Sequence, residues 1–134
     1  MIQLPDRQPI LRVKTSPNDA NASGDIFGGW LMSHVDVAGA IIAADRAKGH
    51  VVTVAVKGLT LLKPLFVYDI VSFYGEVVSV GKTSITVTIE VYAQRAPTQQ
   101  EVVKISDATL VYVAVSKPGE KRLLPEERML GFRM

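Results

Sequence analysis

Apolar residues recur at helical spacing in one long segment of the chain, from Gly28 to Lys48. The clearest stripe repeats every three or four positions: Leu31, Val35, Ala38 and Ile42. Because other apolar residues occupy the remaining sides, we expect this helix to be buried almost all round. Gly49 follows directly and is a plausible helix terminator.

Period-two alternation and β-branched residues predict strands in most of the remaining chain. From Ser84 to Val91 every second residue is Ile or Val, which predicts one covered face and one wetter face. Gly81-Lys82 precedes this strand as a turn. The other predicted strands are residues 9–14, 50–57, 69–80 and 102–115. This order predicts an α+β fold, with an antiparallel sheet wrapped around one long central helix.

Length and composition add an expectation about assembly. The chain has 134 residues and no cysteine, so we expect one domain, 1–134, without disulfides. We place its core at about 10–116, and 117–134 is predicted to be a charged tail, mostly loop with a short helix. An apolar fraction of 48% is high for so short a chain, which indicates that some surface is buried between subunits.

Charge and hydropathy restrict the class of partner. The formal net charge of +2 is a mild excess that does not favour nucleic acid and that suits an anionic small molecule. The N-terminal segment lacks the apolar core of a signal peptide. No apolar run is long enough to span a bilayer. We therefore expect a cytoplasmic protein without a membrane partner.

Asp36 interrupts the apolar middle of the predicted helix, on the face that carries Gly39 and other small residues. A carboxylate at such a position is costly unless it is paired, hydrogen-bonded or used in catalysis. The alternative is that Asp36 faces a water-filled crevice or donors of a partner subunit. Spacing alone gives the two interpretations equal weight.

Two glycines, Gly28 and Gly29, begin the helix, where unpaired N–H groups and the helix dipole suit a developing oxyanion. Asp36 follows eight residues after Gly28, roughly 12 Å along the axis, and helical side chains lean back toward the helix start. The simpler interpretation is a tight turn capped by Asp25. Asn21, in the preceding loop, either holds a water or a carbonyl or, more commonly, stabilises a turn.

No other pattern in the chain indicates a catalytic or metal site. The two histidines, His34 and His50, lack the spacing of metal ligands. The chain has neither a Gly-x-Ser-x-Gly elbow nor a phosphate-loop pattern. Gly81-Lys82-Thr83 is interpreted as a hairpin turn, because no helix follows it.

The segment from Asn21 to Met32, Asn-Ala-Ser-Gly-Asp-Ile-Phe-Gly-Gly-Trp-Leu-Met, followed by Asp36, closely resembles bacterial YciA-type acyl-CoA thioesterases of the hotdog fold. The similarity covers about residues 10–125, and the long motif is far more specific than a glycine pair. The shorter matches are Val51-Val52-Thr53-Val54, Gly58-Leu59-Thr60, Lys63-Pro64, Lys82-Thr83-Ser84 and Tyr112-Val113-Ala114-Val115.

The resemblance implies hydrolysis of fatty acyl-CoA thioesters without a cofactor, because coenzyme A is part of the substrate and the product. It also implies homodimers joined edge to edge and further assembly into hexamers, as trimers of dimers. The active site is then expected at the dimer interface, with Asp36 as the catalytic carboxylate and Asn21 from the opposite protomer. The backbone at Gly28 and Gly29 would polarise the carbonyl. Whether Asp36 acts as a base or as a nucleophile stays open.

Further contacts with substrate and coenzyme A are expected along the matched segments. These residues are Phe27, Lys57, Gly58, Lys63, Pro64, Lys82, Thr83 and Ser84. The candidates for the anionic phosphates are Lys57, Lys63, Lys82 and Arg95. For each of these four, solvated surface charge is the simpler interpretation.

Three positions depart from close relatives of this type. Ala55 stands where an Arg is frequent, and Lys57 stands where a Glu is frequent, both near the expected coenzyme A path. His34 stands where a Gln is frequent, which predicts an altered pH response of the site.

Three other classes of protein remain open at this level. They are a non-catalytic acyl-CoA-binding or regulatory hotdog domain, a hotdog dehydratase or hydratase, and a structural oligomerisation module. A dehydratase would use a catalytic His on a different loop and helix pattern. Release of free thiol from acyl-CoA separates the hydrolase from all three.

Overall fold

A long helix lies against one face of an antiparallel sheet in the computed structural model, which describes residues 2–126. The elements are β1 (Leu11–Lys14), α1 (Gly28–Ala47), β2 (Val51–Leu61), β3 (Ile70–Val80), β4 (Ser84–Gln94), β5 (Val102–Lys117) and β6 (Glu120–Lys121). A short 3₁₀ turn, Pro17–Asp19, lies between β1 and α1. The α+β architecture predicted from the alternation is confirmed.

The sheet has the order β1-β3-β4-β5-β2, and β6 pairs with the end of β5. Every pairing is antiparallel. Strand β2 therefore forms one edge of the sheet, although it directly follows α1 in the chain. This order places the helix, the edge strand and the long strand β5 beside one another.

The apolar stripe of α1 faces the sheet, as predicted. Leu31, Val35 and Ala38 are buried against it. The alternation from Ser84 to Val91 also holds, because its four Ile and Val residues are buried under the helix. These two faces form the hydrophobic core.

The expectation that α1 is buried on nearly all sides is wrong for a single chain. Phe27, Met32, Val37 and Ile41 are 54%, 41%, 50% and 47% exposed. One sheet covers only one side of a helix, so the remaining apolar positions of α1 stay uncovered in one protomer. This exposed face agrees with the expectation that surface is buried between subunits.

Both ends of α1 differ from the prediction. Phe27, not Asp25, is the N-cap residue, and no side chain caps the helix start. At the other end Lys48, not Gly49, adopts the left-handed conformation, with φ of 56°. The carbonyl oxygen of Ala47, in the last turn of the helix, accepts a hydrogen bond from Arg122 Nη2 at 2.8 Å.

Strand β2 is accessible on both faces and interrupted by two register shifts. Val52, Val54 and Val56 are 42%, 55% and 44% exposed. The shifts fall at Val54 and at Lys57, where β2 bulges relative to β5. An apolar edge strand with no neighbour on its outer side is a surface that natural proteins normally pair or cover.

The strand ends and the tail need correction. Strands β2, β4 and β5 each continue a few residues beyond the predicted ends. The predicted loop after 116 instead contains the two-residue strand β6, which folds back on β5. The rest of the predicted tail, residues 127–134, lies outside the described residues. The division into core and tail stays a prediction.

Candidate active site

A cavity of about 220 Å³ opens beside the start of α1. We call it the helix-start cavity. It brings together four of the residues predicted for the site: Asn21, Phe27, Gly28 and Pro64. Its apolar walls come from Ile26, Leu31, Leu61 and Leu65. The cavity therefore combines an exposed helix start with an apolar lining.

Asn21 forms the turn that precedes the helix. Its Oδ1 accepts hydrogen bonds from the backbone N–H of Ser23 at 2.9 Å and of Asp25 at 3.2 Å. The turn interpretation is thus confirmed, but it uses only the amide oxygen. Asn21 also belongs to the lining of the helix-start cavity.

The two glycines leave the helix start open. A Cβ placed on Gly28 or on Gly29 would meet no atom within 4 Å. The N–H groups at the first positions of a helix have no intrahelical acceptor. A carbonyl oxygen can therefore approach these groups without steric hindrance, as an oxyanion site requires.

Asp36 lies further along α1 and is held by two hydroxyl groups from the sheet. Thr53 Oγ1 on β2 donates to Asp36 Oδ1 at 2.7 Å. Tyr112 Oη on β5 lies 2.8 Å from the backbone oxygen of Asp36 and 2.9 Å from Oδ1, so its single proton is shared between these two acceptors. The carboxylate is therefore oriented toward the β2 edge of the sheet.

Tyr112 reaches Asp36 through a gap that Gly39 leaves in the helix. A Cβ on Gly39 would overlap Tyr112 Oη and lie 2.9 Å from Cζ. Tyr112 is fully buried. Burial first, and then the hydrogen bond to Asp36, raise the pKa of the Tyr112 hydroxyl well above its ordinary value. Tyr112 therefore stays protonated and remains a donor.

His34 lies on another side of the helix. Its ring stacks on Trp30 with centroids 4.0 Å apart, and it also packs on Phe73 of β3. Nδ1 bonds the backbone oxygen of Trp30 at 2.8 Å. Since β3 and β2 lie at different places in the sheet, the structure does not bring His34 to Asp36. The altered pH response expected from His34 stays a prediction.

The predicted coenzyme A contacts fall at separate places within one protomer. Lys63 and Pro64 lie in the loop at the helix-start end, where Ile26 N–H donates to the oxygen of Leu65 at 2.9 Å. Lys57 and Gly58 lie in the middle of the edge strand.

The predicted contacts Lys82, Thr83 and Ser84 lie at the opposite end of the sheet. Gly81 N–H donates to the oxygen of Ser84 at 2.8 Å, which confirms the hairpin turn. Ala114 N–H donates to the oxygen of Thr83 at 2.9 Å, beside the end of α1. One chain therefore does not bring all the predicted contacts together.

Arg95 is not a solvated cation. Its Nη1 forms an ion pair with Asp69, a carboxylate that is 1% exposed. Its Nη2 donates to the oxygen of Pro64 at 2.9 Å, and its guanidinium lies 4.7 Å from the Phe66 ring centroid. Arg95 thus anchors the loop that lines the helix-start cavity, which disfavours the expectation that it binds a phosphate.

Sequence reasoning missed the two hydroxyl residues that hold Asp36. Tyr112 is 76 residues from Asp36 in the chain, and Thr53 is 17 residues away. One signal was present, because Gly39 lies one turn after Asp36 inside an otherwise strong helix. A glycine at such a position often marks a close approach by another group.

Residues 2–126 contain neither a metal-binding cluster nor a membrane-spanning helix. No cluster of three or more His, Asp or Glu side chains is arranged to hold a metal ion. No helix in the same range has the length and apolar character needed to cross a bilayer.

The family model of the thioesterase superfamily matches residues 23–98, which include α1, Asp36 and the edge strand. The chain belongs to this superfamily.

Relatives and solved structures agree with this assignment. The chain is 44% identical to the acyl-CoA thioester hydrolase YciA of Escherichia coli over 126 residues, covering 92% of this chain and 96% of the relative. It is similar to a hexameric thioesterase of Yersinia pestis, with 45% identity, a TM-score of 0.85 and coverage of 92% and 99%. A hexameric hotdog fold thioesterase of Campylobacter jejuni gives 40% identity, a TM-score of 0.86 and coverage of 94% and 98%.

Proposed function

We propose that this protein hydrolyses acyl-CoA thioesters to a free acid and coenzyme A, at sites shared between two protomers. The observation that carries the proposal is the oriented carboxylate of Asp36 in a chain whose helix start is open and unhindered. Its relatives in Escherichia coli and Salmonella typhimurium are acyl-CoA thioester hydrolases, each 44% identical to this chain. The reaction consumes water and needs no cofactor.

The proposed chemistry divides the work between two groups. The backbone N–H groups at Gly28 and Gly29 hold the thioester carbonyl, and Asn21 Nδ2 donates to the same oxygen or to the attacking water. Asp36 either removes a proton from that water or attacks the carbonyl to form an anhydride that water then cleaves. In both cases the carbon–sulfur bond breaks, coenzyme A leaves as a thiolate, and a proton from the consumed water converts it to the thiol.

The position of Asp36 supports a site formed by two protomers. Asp36 bonds to Thr53 on β2 and does not line the helix-start cavity of its own chain. β2 has 11 residues, and Val56 is the middle one. If two copies of β2 pair antiparallel about Val56, Thr53 lies opposite Leu59 of the partner subunit. Leu59 is two residues from the cavity residue Leu61, about 7 Å along the strand.

The same pairing accounts for the divided coenzyme A contacts. In an antiparallel dimer the Lys82–Ser84 turn of one protomer lies at the same end as Lys63 and Pro64 of the other. Phe27, which is 54% exposed, then faces this junction, and Lys57 and Gly58 lie near its centre. We propose that these residues contact the substrate from both sides.

We also propose that dimers assemble further into hexamers as trimers of dimers. Solved structures of relatives from Yersinia pestis and Campylobacter jejuni are hexameric. The exposed apolar residues of α1 and β2 supply surface for such contacts. Acyl-CoA as the substrate favours the cytoplasm as the place of action, which cell fractionation tests.

The first test measures thiol release from a panel of acyl-CoAs of increasing chain length. Asp36→Asn, which keeps the size of the side chain, is expected to lower kcat by about 100- to 10,000-fold. Thermal unfolding at fixed protein concentration checks that the variant is folded. Undiminished turnover by Asp36→Asn would exclude the mechanism, and tight acyl-CoA binding by the wild type without thiol release would favour a binding domain.

The second test asks whether one site uses residues of two protomers. Asp36→Ala and Asn21→Ala are purified separately, then unfolded together and refolded as a mixture. Random pairing makes half of the dimers mixed, and each mixed dimer has one complete site of two, so about one quarter of the wild-type activity returns. If both residues serve a site of their own chain, the mixture stays as inactive as its components.

A further inference from the structure

Asp36 has two carboxylate oxygens, and the sheet contacts only one of them. Thr53 Oγ1 and Tyr112 Oη both bond Oδ1, at 2.7 and 2.9 Å. Among residues 2–126 the structure shows no bond to Oδ2. The side chain is thus fixed at one oxygen and leaves the other unoccupied.

Burial and the gap at Gly39 together determine the place of Tyr112 beside Asp36. Tyr112 is fully buried, and its hydroxyl oxygen also lies 2.8 Å from the backbone oxygen of Asp36, which shares the same proton. Gly39 is the helix residue that leaves room for the phenol, because any Cβ there would overlap Oη. The phenol therefore lies within hydrogen-bond distance of both the backbone oxygen and the carboxylate of Asp36.

We propose that Tyr112, seated in the gap at Gly39, is a positioning residue that fixes Asp36 Oδ1 so that Oδ2 is the oxygen that acts on water or on the thioester. This inference rests on the proposed function, since it assumes that Asp36 is the reactive carboxylate. Tyr112 does not touch the substrate in this account. Its contribution reaches the reaction only through Asp36.

The chemistry explains why a buried phenol suits this task. An ionised carboxylate with one oxygen hydrogen-bonded keeps a single orientation and presents its other oxygen with free lone pairs. A buried donor with a raised pKa keeps its proton while it does so. Without the phenol only Thr53 Oγ1 still donates to Oδ1, so the carboxylate is held less firmly and spends less time in the reactive orientation.

The primary test is Tyr112→Phe, assayed by thiol release from hexanoyl-CoA. We expect kcat to fall about ten- to hundredfold, the range for losing a hydrogen bond to a charged acceptor, while KM changes less than about twofold. Tyr92→Phe is the matched control. Tyr92 is also a buried tyrosine of the sheet whose hydroxyl donates to a carboxylate, but that carboxylate is Glu90 Oε2, at 3.0 Å, and not Asp36.

Gly39→Ala tests the same contact by changing the helix residue in place of the tyrosine. The added methyl must displace the Tyr112 hydroxyl, so kcat is expected to fall as it does in Tyr112→Phe. Because both changes act on one contact, the double variant is expected to lose little more than either single one. A product of the two separate losses would show that Gly39 and Tyr112 act independently and would overturn the proposal.

Measuring Tyr112→Phe in an Asp36→Ala protein distinguishes a loss of Asp36 positioning from a general loss of structural order. In Asp36→Ala, Tyr112→Phe is expected to leave the residual rate unchanged, since nothing remains to be positioned. A further ten- to hundredfold loss in that background would contradict the proposal, as would wild-type kcat for Tyr112→Phe or an equal loss for Tyr92→Phe. If Asp36→Ala itself keeps full activity, the proposed function fails before the positioning role is reached.

Discussion

The buried ion pair between Asp69 and Arg95 gives the sharpest test of how the helix-start cavity is built. We consider Arg95→Leu, which removes the cation and leaves the aliphatic bulk. Asp69 is 1% exposed and the Arg95 side chain is 14% exposed. The variant therefore leaves a carboxylate without its counter-ion in a place that water hardly reaches.

The size of the effect follows from that burial. Removing one partner of a buried pair costs about 3–5 kcal/mol. Asp69 keeps one donor, the N–H of Phe66 at 2.8 Å, so we take the lower end, about 3 kcal/mol. A chain of 134 residues has an unfolding entropy of about 0.28 kcal/mol/K near its midpoint. The expected fall in Tm is thus roughly 10 °C.

The assay is thermal unfolding at a fixed protomer concentration, together with KM for hexanoyl-CoA. Lys117→Ala is the control, because the Lys117–Glu120 pair is 71% and 57% exposed and such pairs contribute about 0–1 kcal/mol. Asp69→Asn combined with Arg95→Leu is expected to recover more than half of the lost stability, since the buried charge is gone.

One result would refute this reasoning. If Arg95→Leu raised KM severalfold and left Tm unchanged, Arg95 would be a phosphate-binding residue and the ion pair would be structurally unimportant. A fall in Tm that the double variant does not recover would also contradict it, because the cost would not come from the unpaired carboxylate.

Three further predictions concern packing, pH and the helix end. Gly75→Ala should lower the free energy of unfolding by about 1–3 kcal/mol, because its Cβ would lie 2.5 Å from an isoleucine methyl and 2.6 Å from a backbone oxygen. Gly58→Ala is the control and should not lower it, because a Cβ there meets no atom within 4 Å. Urea unfolding measures the free energy of both variants. Since the pKa of Tyr112 is raised in the folded state, its contribution is complete below its unfolded pKa of about 10 and is lost above it, so Tm should fall less steeply above pH 10 in Tyr112→Phe. Arg122→Ala removes the donor to Ala47 and should lower Tm by a few degrees, roughly the effect of about 1 kcal/mol, with activity retained.

The local patterns predicted the elements well because each pattern is set by neighbours in the chain. The alternation from Ser84 to Val91 and the stripe on Gly28–Lys48 both describe which face meets the core, and the structure buries those faces. The helix ends were predicted less well. Arg122, which caps the end of α1, is 75 residues from its acceptor, and no local rule includes such a partner.

The site was predicted in part for the same reason. Asn21, Phe27, Gly28 and Pro64 line one cavity, and most of them lie within a short motif. The role of Tyr112 beside Asp36 was not predicted, because it depends on how β5 lies under the helix, and periodicity does not encode that packing. In the sequence, Gly39 and the matched segment that begins at Tyr112 are the features related to this contact, and neither of them identifies its partner.

Arg95 is a residue that was predicted to bind a ligand and that instead pairs with another part of the chain. A basic residue near a loop looks available for an anionic ligand when only the sequence is known. The carboxylate that occupies it, Asp69, lies 26 residues earlier and is buried by the sheet. Whether a cation is available depends on such long-range pairing.

The exposed edge strand β2 has a kinetic consequence. A site that needs the edges of two chains exists only in the associated fraction of the protein. On the proposed arrangement, the initial rate per volume rises with the square of protein concentration at high dilution and becomes linear once the chains are paired. The strength of pairing between two β2 strands thus determines the protein concentration below which few complete active sites exist.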